Sequence, residues 1–297
     1  MIKRTLFFGN PAYLSTKNEQ IVISFPDDKP DRIVPIEDIG MLILESQQIT
    51  ITNGLLCKLT DRKVAVVFCN GQHLPEGLLL PMHGHTEQTE RVRYQLEASQ
   101  PLIKNLWQQT VSAKIKNQYA LLKEKGKYSK RMEYLYKNVS SGDSGNYEAQ
   151  AAAIYWQLLF DIPDFNRGQN GIPPNNLLNY GYAILRAVIA RALVSSGMLP
   201  GVGIWHRNKY NAYCLADDIM EPYRPYVDLV VTYIVENNDQ IDELTTDLKK
   251  ELLAIPALDV MIDGQKSPLM VAASRTSSSL FECFAGIRRK IVYPDYG

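Results

Sequence analysis

The chain has 297 residues, of which 45% are hydrophobic and 22% are charged, and its 32 basic and 32 acidic residues leave no formal net charge. This composition is ordinary for a globular protein of one or two domains, and the balanced charge gives no sign of nucleic-acid binding. No run approaches the roughly 20 apolar residues that a membrane-spanning helix needs, and the N-terminal apolar run is too short for a signal peptide. Four widely spaced cysteines without a CxxC pair favour buried free thiols over disulfides or a zinc site. The sequence therefore predicts a cytoplasmic protein.

Residues 1–80 are predicted to form a small β-rich domain. Short runs of β-branched and aromatic residues, such as IVISF and VAVVFC, are separated by turn-forming residues. One helix is expected at about residues 53–61, with Thr52 or Asn53 as its N-cap. The strands are closely spaced and no βαβ repeat is evident, so we expect a small sheet or sandwich rather than a dinucleotide-binding fold.

From about residue 80 onward the hydrophobic period changes to that of α-helices. A linker and connecting helix at 81–99 should lead into a larger helical domain at 100–297. We expect helices at 86–98, 100–125, 129–138, 146–160, 175–197, 211–221, 225–236, 240–253 and 268–289. Asp263 and Gly264 should turn a short hairpin before the last helix. The predicted fold class is α+β, a small β-rich N-terminal domain followed by a larger all-α-helical domain.

Charge is unevenly distributed along the helical part. Residues 101–138 contain nine basic and two acidic residues, a net charge of +7, whereas residues 236–263 contain eight acidic residues and two lysines, a net charge of −6. A basic flank of this kind can bind a polyanion while the whole molecule stays neutral. Two ordinary solvated helix faces would give the same counts, so charge alone leaves both interpretations open.

Candidate metal ligands fall in two separate segments. The first is Glu148, in the first turn of an alanine-rich helix (NYEAQAAAIYW). The second segment, WHRNKYNAYCLADDIMEPYRP, contains His206 followed by Asp217, Asp218 and Glu221. Carboxylates and an imidazole can hold a hard divalent cation and leave positions open for water or phosphate, which suits phosphodiester chemistry.

Structural roles could account for the same residues. Glu148 could simply interact with the dipole of its helix, and the adjacent carboxylates could pair with Arg224 or Lys209. Asp218 and Glu221 share a helix face, as do Asp217 and Glu221. His83 and His85 lack a nearby cysteine or carboxylate pattern that would complete a metal site, so we interpret them as linker residues. Neither a nucleophile elbow, a P-loop nor a dinucleotide fingerprint is present.

Several blocks of this sequence, in their order along the chain, resemble the Cas1 family of CRISPR-associated endonucleases, the integrases of spacer acquisition. The blocks are NYEAQAAAIYW, LLNYGYAILRA, GIWHRNKYNAYCLADDIMEPYRPYVD and SRTSSSLFECFAGIRRKIVYP. The segments RTLFFGNPAYLS and PMHGHTEQTERVRYQ are similar to the version found beside type II effector systems. The resemblance covers essentially the whole chain.

The resemblance implies a β-rich domain that dimerises and a helical domain that carries a divalent-metal site. The family's catalytic, metal-binding residues fall on Glu148, His206 and Glu221, with Asp218 as a supporting or alternative ligand and Asp217 on a different face. The metal would be Mg²⁺ or Mn²⁺. The implied reaction joins the 3′-hydroxyl ends of short DNA fragments to the CRISPR repeat by transesterification, and the same site would hydrolyse DNA when water is the nucleophile.

The resemblance also implies partners. These are DNA (protospacer fragment and CRISPR repeat), a second copy of the chain, the small Cas2 protein that bridges two dimers, and type II effector proteins. Lysines of the basic segment, among them Lys114, Lys116 and Lys123, would contact the DNA backbone. Two alternatives stay open: a catalytically silent DNA-binding scaffold with the same fold, and a junction or repair endonuclease outside CRISPR.

Overall fold

The computed structural model describes residues 3–27, 29–163, 165–168 and 170–296. The chain divides into two compact units, Met1–Thr86 and Glu87–Gly297. The first unit is rich in β-strands and the second is mostly helical, so the predicted α+β class is confirmed.

The first unit contains eight strands and one α-helix in its described residues. They are β1 (Arg4–Phe8), β2 (Ala12–Lys17), β3 (Gln20–Ser24), β4 (Arg32–Pro35), β5 (Ile39–Leu44), β6 (Ile49–Ile51), α1 (Asn53–Asp61), β7 (Ala65–Cys69) and β8 (Pro75–Leu79). The strands form two four-stranded sheets, ordered β1-β5-β7-β8 and β4-β3-β2-β6. The helix α1 begins as predicted, because the Thr52 side chain accepts a hydrogen bond from the backbone N–H of Leu55.

One apolar core joins the two sheets. Residues of the first sheet, such as Leu42, pack with residues of the second, such as Leu14 and Ile21. Two features differ from the sequence-based expectation. Strands β1, β5 and β7 pair in parallel, and the strands β6 and β8 were not predicted. A three-residue strand, and a strand that starts with proline and contains Gly77, give too weak a β pattern to be recognised.

The second unit contains nine α-helices in its described residues, one in each predicted helical stretch. They are α2 (Gln88–Leu96), α3 (Gln100–Glu124), α4 (Lys130–Lys137), α5 (Tyr147–Leu159), α6 (Asn175–Ser195), α7 (Cys214–Met220), α8 (Arg224–Asn237), α9 (Thr246–Leu253) and α10 (Leu269–Phe284). Short 3₁₀ turns at Ser141–Asp143, Glu221–Tyr223 and Ile255–Ala257 connect some of them. The stretches 211–221, 240–253 and 268–289 are helical over fewer residues than predicted.

Helix α6 is the central helix of this unit. In the described part of the chain it is the one helix long and apolar enough to cross a membrane by length and composition. Of its most apolar 18-residue window, 78% is buried inside the protein. Its apolar character is therefore that of a core helix, and the sequence-based expectation that no run approaches membrane-spanning length was too strict.

A small three-stranded sheet packs beside these helices. It consists of β9 (Asp259–Ile262), β10 (Gln265–Pro268) and β11 (Pro294–Asp295), ordered β10-β9-β11. Asp263 and Gly264, both with positive φ, turn β9 into β10, as the sequence predicts. The Nδ2 of Asn117 on α3 donates to the carbonyl oxygens of Pro222 at 2.8 Å and Pro294 at 3.0 Å. This amide ties β11 to the turn that contains Glu221.

All four cysteines are free. Cys69, Cys214 and Cys283 are buried, as predicted, whereas Cys57 is exposed on α1. The prediction of buried thiols is therefore wrong for Cys57, whose position falls on the outer face of an amphipathic helix.

Candidate active site

Glu148 is fixed at the start of α5 by the turn that precedes it. The Asp143 carboxylate accepts hydrogen bonds from the backbone N–H of Tyr147 at 2.8 Å and of Glu148 at 3.0 Å. Asn146 adopts a left-handed conformation that leads the chain into the helix. Asp143 therefore caps the helix and sets the backbone from which the Glu148 side chain projects. The sequence analysis did not single out Asp143.

Lys114 on α3 connects Glu148 with Glu221. Its ammonium lies 2.7 Å from Glu148 Oε1 and 2.6 Å from Glu221 Oε2. Lys114 is only 9% exposed and Glu221 only 4%. Two predicted ligands that are distant in sequence are thus brought together around one buried cation. The sequence-based role of Lys114 as a surface contact to DNA is wrong, because its ammonium points into the protein.

The ions of this cluster stabilise one another. Burial lowers the pKa of Lys114, but the charges of Glu221 and Glu148 outweigh it and raise the pKa overall. Burial raises the pKa of Glu221, but Arg224 and Lys114 outweigh it and lower the pKa overall. The Nε of Arg224 lies 3.0 Å from Glu221 Oε1. Two carboxylates are therefore balanced by two basic groups.

His206 is oriented by Asp218. Its Nδ1 lies 2.6 Å from Asp218 Oδ1, so Nε2 is the ring nitrogen left for a ligand. Asp218 is fully buried and also accepts hydrogen bonds from the backbone N–H of Ile204 at 2.7 Å, Trp205 at 2.9 Å and His206 at 3.2 Å. Both of its oxygens are thus engaged. A carboxylate bonded to the far nitrogen of a ligating histidine is a common second layer of metal sites.

The charges of Glu148 and Glu221 also act on His206. The hydrogen bond with Asp218 raises the pKa of His206, burial opposes this, and the charges of Glu221 and Glu148 raise it further. His206 also lies edge-on to Trp107, with ring centroids 5.9 Å apart, and Trp107 is two turns before Lys114 on α3. The structure therefore brings Glu148, His206 and Glu221 into one region of the second unit.

The loop that carries His206 approaches Asp218 closely because residue 203 is glycine. A Cβ at Gly203 would lie 2.4 Å from the carbonyl oxygen of His206 and 2.7 Å from Asp218 Oδ2. Trp205 stacks on Trp107 of α3, with ring centroids 5.2 Å apart. The close approach and the stacked rings hold the loop in place.

Asp217 belongs to a different contact. It accepts from Arg186 Nε at 2.6 Å and from Asn211 Nδ2 at 2.7 Å. Its carboxylate is therefore occupied away from Glu221, in keeping with its placement on a different face from Asp218.

A buried acid, Asp228, lies behind the ion cluster. It accepts a hydrogen bond from the Tyr155 hydroxyl at 2.7 Å and another from the Tyr182 hydroxyl. Burial raises its pKa to about 6, although the tyrosines and Arg224 act in the opposite direction. A cavity of about 190 Å³ connects it to the cluster and is lined by Lys114, Gln118, Ala152, Trp156, Arg167, Tyr182, Glu221, Arg224 and Asp228.

The donor set fits a hard divalent cation. Two carboxylates and one imidazole are ligands that Mg²⁺ and Mn²⁺ accept, and the buried Oε2 of Glu221 has no hydrogen bond of good geometry despite the nearby ammonium. In residues 3–27, 29–163, 165–168 and 170–296, no three His, Cys, Asp or Glu side chains are arranged as a ready-made metal site. At the cluster, the ammonium of Lys114 lies between Glu148 and Glu221. His83 and His85 likewise belong to no such group.

Most of the charge counted on residues 101–138 is neutralised locally. Five of the nine basic residues form ion pairs with acidic partners: Lys114, Lys116, Lys125, Lys127 and Lys137. Arg131 donates to the side chain of Gln150. The net charge of +7 therefore overstates the positive charge that this segment presents at its surface.

The loop around His206 is a better candidate for a phosphate contact. Arg207 and Lys209 are exposed, and both line a cleft of about 460 Å³ that also contains His206. Tyr210 is 84% exposed in the same loop. Basic and aromatic side chains next to the site can bind the backbone and bases of a nucleic acid.

Comparisons with known proteins identify the family of this chain. The family model described as CRISPR associated protein Cas1 matches residues 6–255. The chain is 38% identical to the CRISPR-associated endonuclease Cas1 of Neisseria meningitidis serogroup C over 94% of this chain and 91% of that protein. Among solved structures, a casposase bound to integration product aligns with a TM-score of 0.78 and 19% identity over 98% of this chain and 92% of that one.

A chain of a Cas6-RT-Cas1–Cas2 complex aligns with a TM-score of 0.73 and 20% identity, over 97% of this chain and 35% of the larger one. These two structures show a shared fold. The extent of the family match and the identity to the Neisseria protein decide the family: the chain belongs to the Cas1 family of CRISPR-associated endonucleases.

Proposed function

We propose that this protein is a divalent-metal-dependent DNA integrase of CRISPR adaptation. It joins the 3′-hydroxyl ends of short DNA fragments to the CRISPR repeat by transesterification, and it cleaves DNA when water is the nucleophile. The main support is the convergence of Glu148 and Glu221 on one buried cation, Lys114, beside a histidine held by Asp218. Such a cluster of carboxylates around a cation, in a chain of the Cas1 family, suits phosphodiester chemistry.

In this proposal Glu148, Glu221 and the Nε2 of His206 hold Mg²⁺ or Mn²⁺. Such a metal would supply the positive charge that stabilises the reacting phosphate and favours ionisation of the attacking hydroxyl. Asp218 fixes the tautomer and ring orientation of His206. Arg224 keeps Glu221 ionised, so that its carboxylate stays a good ligand.

Arg207 and Lys209 would bind the phosphates that flank the reacting one, because both are exposed in the loop that follows His206. This assignment replaces the long basic helix as the main DNA contact. The exposed indole of Trp205 and the ring of Tyr210 would support unstacked bases nearby. The casposase that shares this fold is bound to an integration product, which supports DNA as the substrate here.

The partners follow from the family. We propose a homodimer formed through the β-rich domain at 1–80, with 81–99 as the connection and 100–297 as the catalytic domain. The Cas2 protein would bridge two dimers, as the Cas1–Cas2 complex among the similar structures suggests. Type II effector proteins are further partners, and the reaction would take place in the cytoplasm, where the DNA is.

Strand transfer tests the proposal directly. A labelled duplex with free 3′-hydroxyls is incubated with a supercoiled plasmid that carries the CRISPR repeat, with Mn²⁺ or Mg²⁺, and with or without Cas2. We expect metal-dependent joining, and a loss of about 10³-fold in Glu148→Ala, His206→Ala and Glu221→Ala. Glu133→Ala is the matched control, because Glu133 is a partly exposed glutamate whose partners, Lys137 and the Tyr128 hydroxyl, lie outside the cluster.

Each alternative predicts a different result. DNA binding without joining, unaffected by the three substitutions in any metal, would favour the scaffold. Metal-dependent cleavage that the three substitutions abolish, but without any dependence on the repeat, would favour a junction or repair endonuclease.

A further inference from the structure

Lys114 occupies the space between two carboxylates that the proposed function assigns to a metal. We propose that its ammonium is an intramolecular counter-cation, which holds Glu148 and Glu221 together in the metal-free protein and must leave when the metal binds. The inference rests on the proposed function, because it concerns the same pair of glutamates. Lys114 then competes with the metal and lowers its apparent affinity.

The distances indicate that the Lys114 ammonium and a bound metal would occupy the same space between Glu148 and Glu221. Glu148 Oε1 and Glu221 Oε2 lie 2.7 and 2.6 Å from one nitrogen atom, so these oxygens are at most about 5.3 Å apart. Ligand oxygens of Mg²⁺ lie at about 2.1 Å from the metal, which puts two of them roughly 3 to 4 Å apart. An ammonium and a metal cannot both lie between carboxylates that close. The ammonium therefore keeps the two ligands near the spacing that a metal requires.

Burial explains why a cation is needed in the absence of metal. Glu221 is almost fully buried, and two carboxylates brought this close repel each other strongly without a positive charge between them. Arg224 contacts Glu221 through the other oxygen, Oε1. In the described part of the chain, Lys114 is the cation that pairs with Glu148. Removal of Lys114 would therefore leave the gap with an unbalanced negative charge that attracts a metal.

The cavity behind the cluster gives the displaced ammonium somewhere to go. Lys114 lines this space of about 190 Å³ together with Gln118 and Asp228. A lysine side chain is flexible, so its Nζ can move by several ångströms while α3 stays in place. The carboxylate of Asp228 would attract it there, against the positive charges of Arg167 and Arg224 that line the same space. Metal binding would thus exchange one cation for another without a change in the helices.

Metal titration of variants tests the inference. We would measure Mn²⁺ binding to the full chain by electron paramagnetic resonance for wild type, Lys114→Met and Lys116→Met. Lys116 is the matched control, because it lies on the same helix and pairs with Asp295 at the surface. Lys114→Met should bind Mn²⁺ at least tenfold more tightly than wild type, and Lys116→Met should bind like wild type. Equal or weaker binding by folded Lys114→Met would overturn the inference.

A second measurement needs no variant of Lys114. Asp228→Asn removes the carboxylate that would receive the displaced ammonium in the cavity, and should bind Mn²⁺ several-fold more weakly than wild type. Mn²⁺ binding by folded Asp228→Asn that equals or exceeds that of wild type would contradict displacement into the cavity. The metal site itself is checked with Glu148→Gln: if wild type and this variant bind Mn²⁺ equally, both the proposed function and this inference fail.

Discussion

The two units of this chain treat buried charge in opposite ways. Among the described residues of the first unit, Glu45 is the single buried polar residue, and the core consists of aliphatic and aromatic side chains. The second unit buries Lys114, Asp218, Glu221 and Asp228, each of which is at most 9% exposed. Burial of an ion costs several kcal/mol unless partners surround it. The first unit is thus built for stability, whereas the second keeps charges that a purely apolar core would do without.

The difference indicates where function lies. An ion cluster adds little net stability compared with well-packed apolar residues. Its presence in one unit, next to an exposed histidine, is therefore better explained by chemistry than by folding. Substitutions that compare matched residues of the two units can break or sharpen this conclusion.

Loss of the cation that pairs with a buried carboxylate should have the largest effect. Arg224→Met removes a partner of Glu221 and should reduce the free energy of unfolding by about 3 to 5 kcal/mol. Lys58→Met in the first unit removes a partner of Glu19 from an exposed ion pair. It should change the free energy of unfolding by less than about 1 kcal/mol. Chemical denaturation of both variants checks the contrast. Similar losses in the two would show that burial does not set the value of these ion pairs.

Asp228 should make the stability of the second unit depend on pH. Its pKa is about 6 in the folded protein and 3.8 ordinarily, so the folded state binds the proton more tightly. Protonation of Asp228 therefore stabilises the folded state. This stabilisation is complete at a pH below the ordinary pKa of 3.8 and is lost as the pH rises through 6. The difference in pKa corresponds to about 3 kcal/mol. Asp228→Asn should therefore gain stability relative to wild type between pH 4 and pH 7, measured by denaturation across this range; a constant difference would refute the shift.

Glycine positions give a third comparison. Gly203→Ala forces a methyl group against His206 and Asp218, and should reduce stability by about 1 to 3 kcal/mol and DNA cleavage by roughly 100-fold. Gly54→Ala in α1 meets only Thr16 Cγ2 at 3.8 Å, and should stabilise the helix by about 0.5 to 1 kcal/mol. Thermal unfolding and a cleavage assay test both variants. Unchanged cleavage in Gly203→Ala would mean that the loop position does not matter for activity.

Asp218 should act through His206 rather than as a ligand. Asp218→Asn should weaken Mn²⁺ binding by about 10- to 100-fold, because the asparagine can hold the ring but gives up the charge that supports it. Substitution of a direct ligand should cost more affinity for Mn²⁺. The Glu221→Gln variant, measured in parallel, should therefore lose at least as much affinity as Asp218→Asn. If Asp218→Asn proves the more severe of the two, Asp218 is itself a metal ligand.

The smallest effect is expected at the DNA-binding loop. Double substitution of Arg207 and Lys209 by alanine should make DNA affinity less dependent on salt. The slope of log affinity against log salt concentration should fall by the amount expected for about two phosphate contacts. Replacement of Lys58 and Arg62, which both pair with Glu19 in the first unit, should leave the salt dependence unchanged. Binding isotherms at several salt concentrations give these slopes. Equal slopes for the loop variant and wild type would remove the loop from the DNA contact.

Much of the helical fold could be predicted because long amphipathic segments repeat their period many times. Even short signals sufficed where the chemistry was local, as at Thr52 and at the Asp263-Gly264 turn. The parallel pairing of β1, β5 and β7 could not be predicted, because period-two patterns do not reveal which strands are neighbours.

For the candidate site, sequence reasoning supplies residue types but not partners. Glu148, His206 and Glu221 follow from the family resemblance, and their roles stay a prediction. Lys114 counts as surface charge in the sequence, because a lysine among other lysines on an amphipathic helix carries no sign of burial. Its role depends on two acids that lie 34 and 107 positions further along the chain. The place of Asp218 stays open in the sequence, because only the loop geometry shows that backbone N–H groups occupy its oxygens.

The bond between Asn117 and Pro294 has a consequence for synthesis of the protein on the ribosome. Asn117 holds the turn that carries Glu221 and strand β11 with the same amide group, although 177 positions separate Asn117 from Pro294. Domains tend to fold as they emerge, the N-terminal ones first. The first unit can therefore fold while the helical unit is still being translated. The hydrogen bond between Asn117 and Pro294, which completes the support of the turn that carries Glu221, can form only after residue 294 has left the exit tunnel. A prematurely terminated chain would thus carry a folded β unit without a completed candidate site.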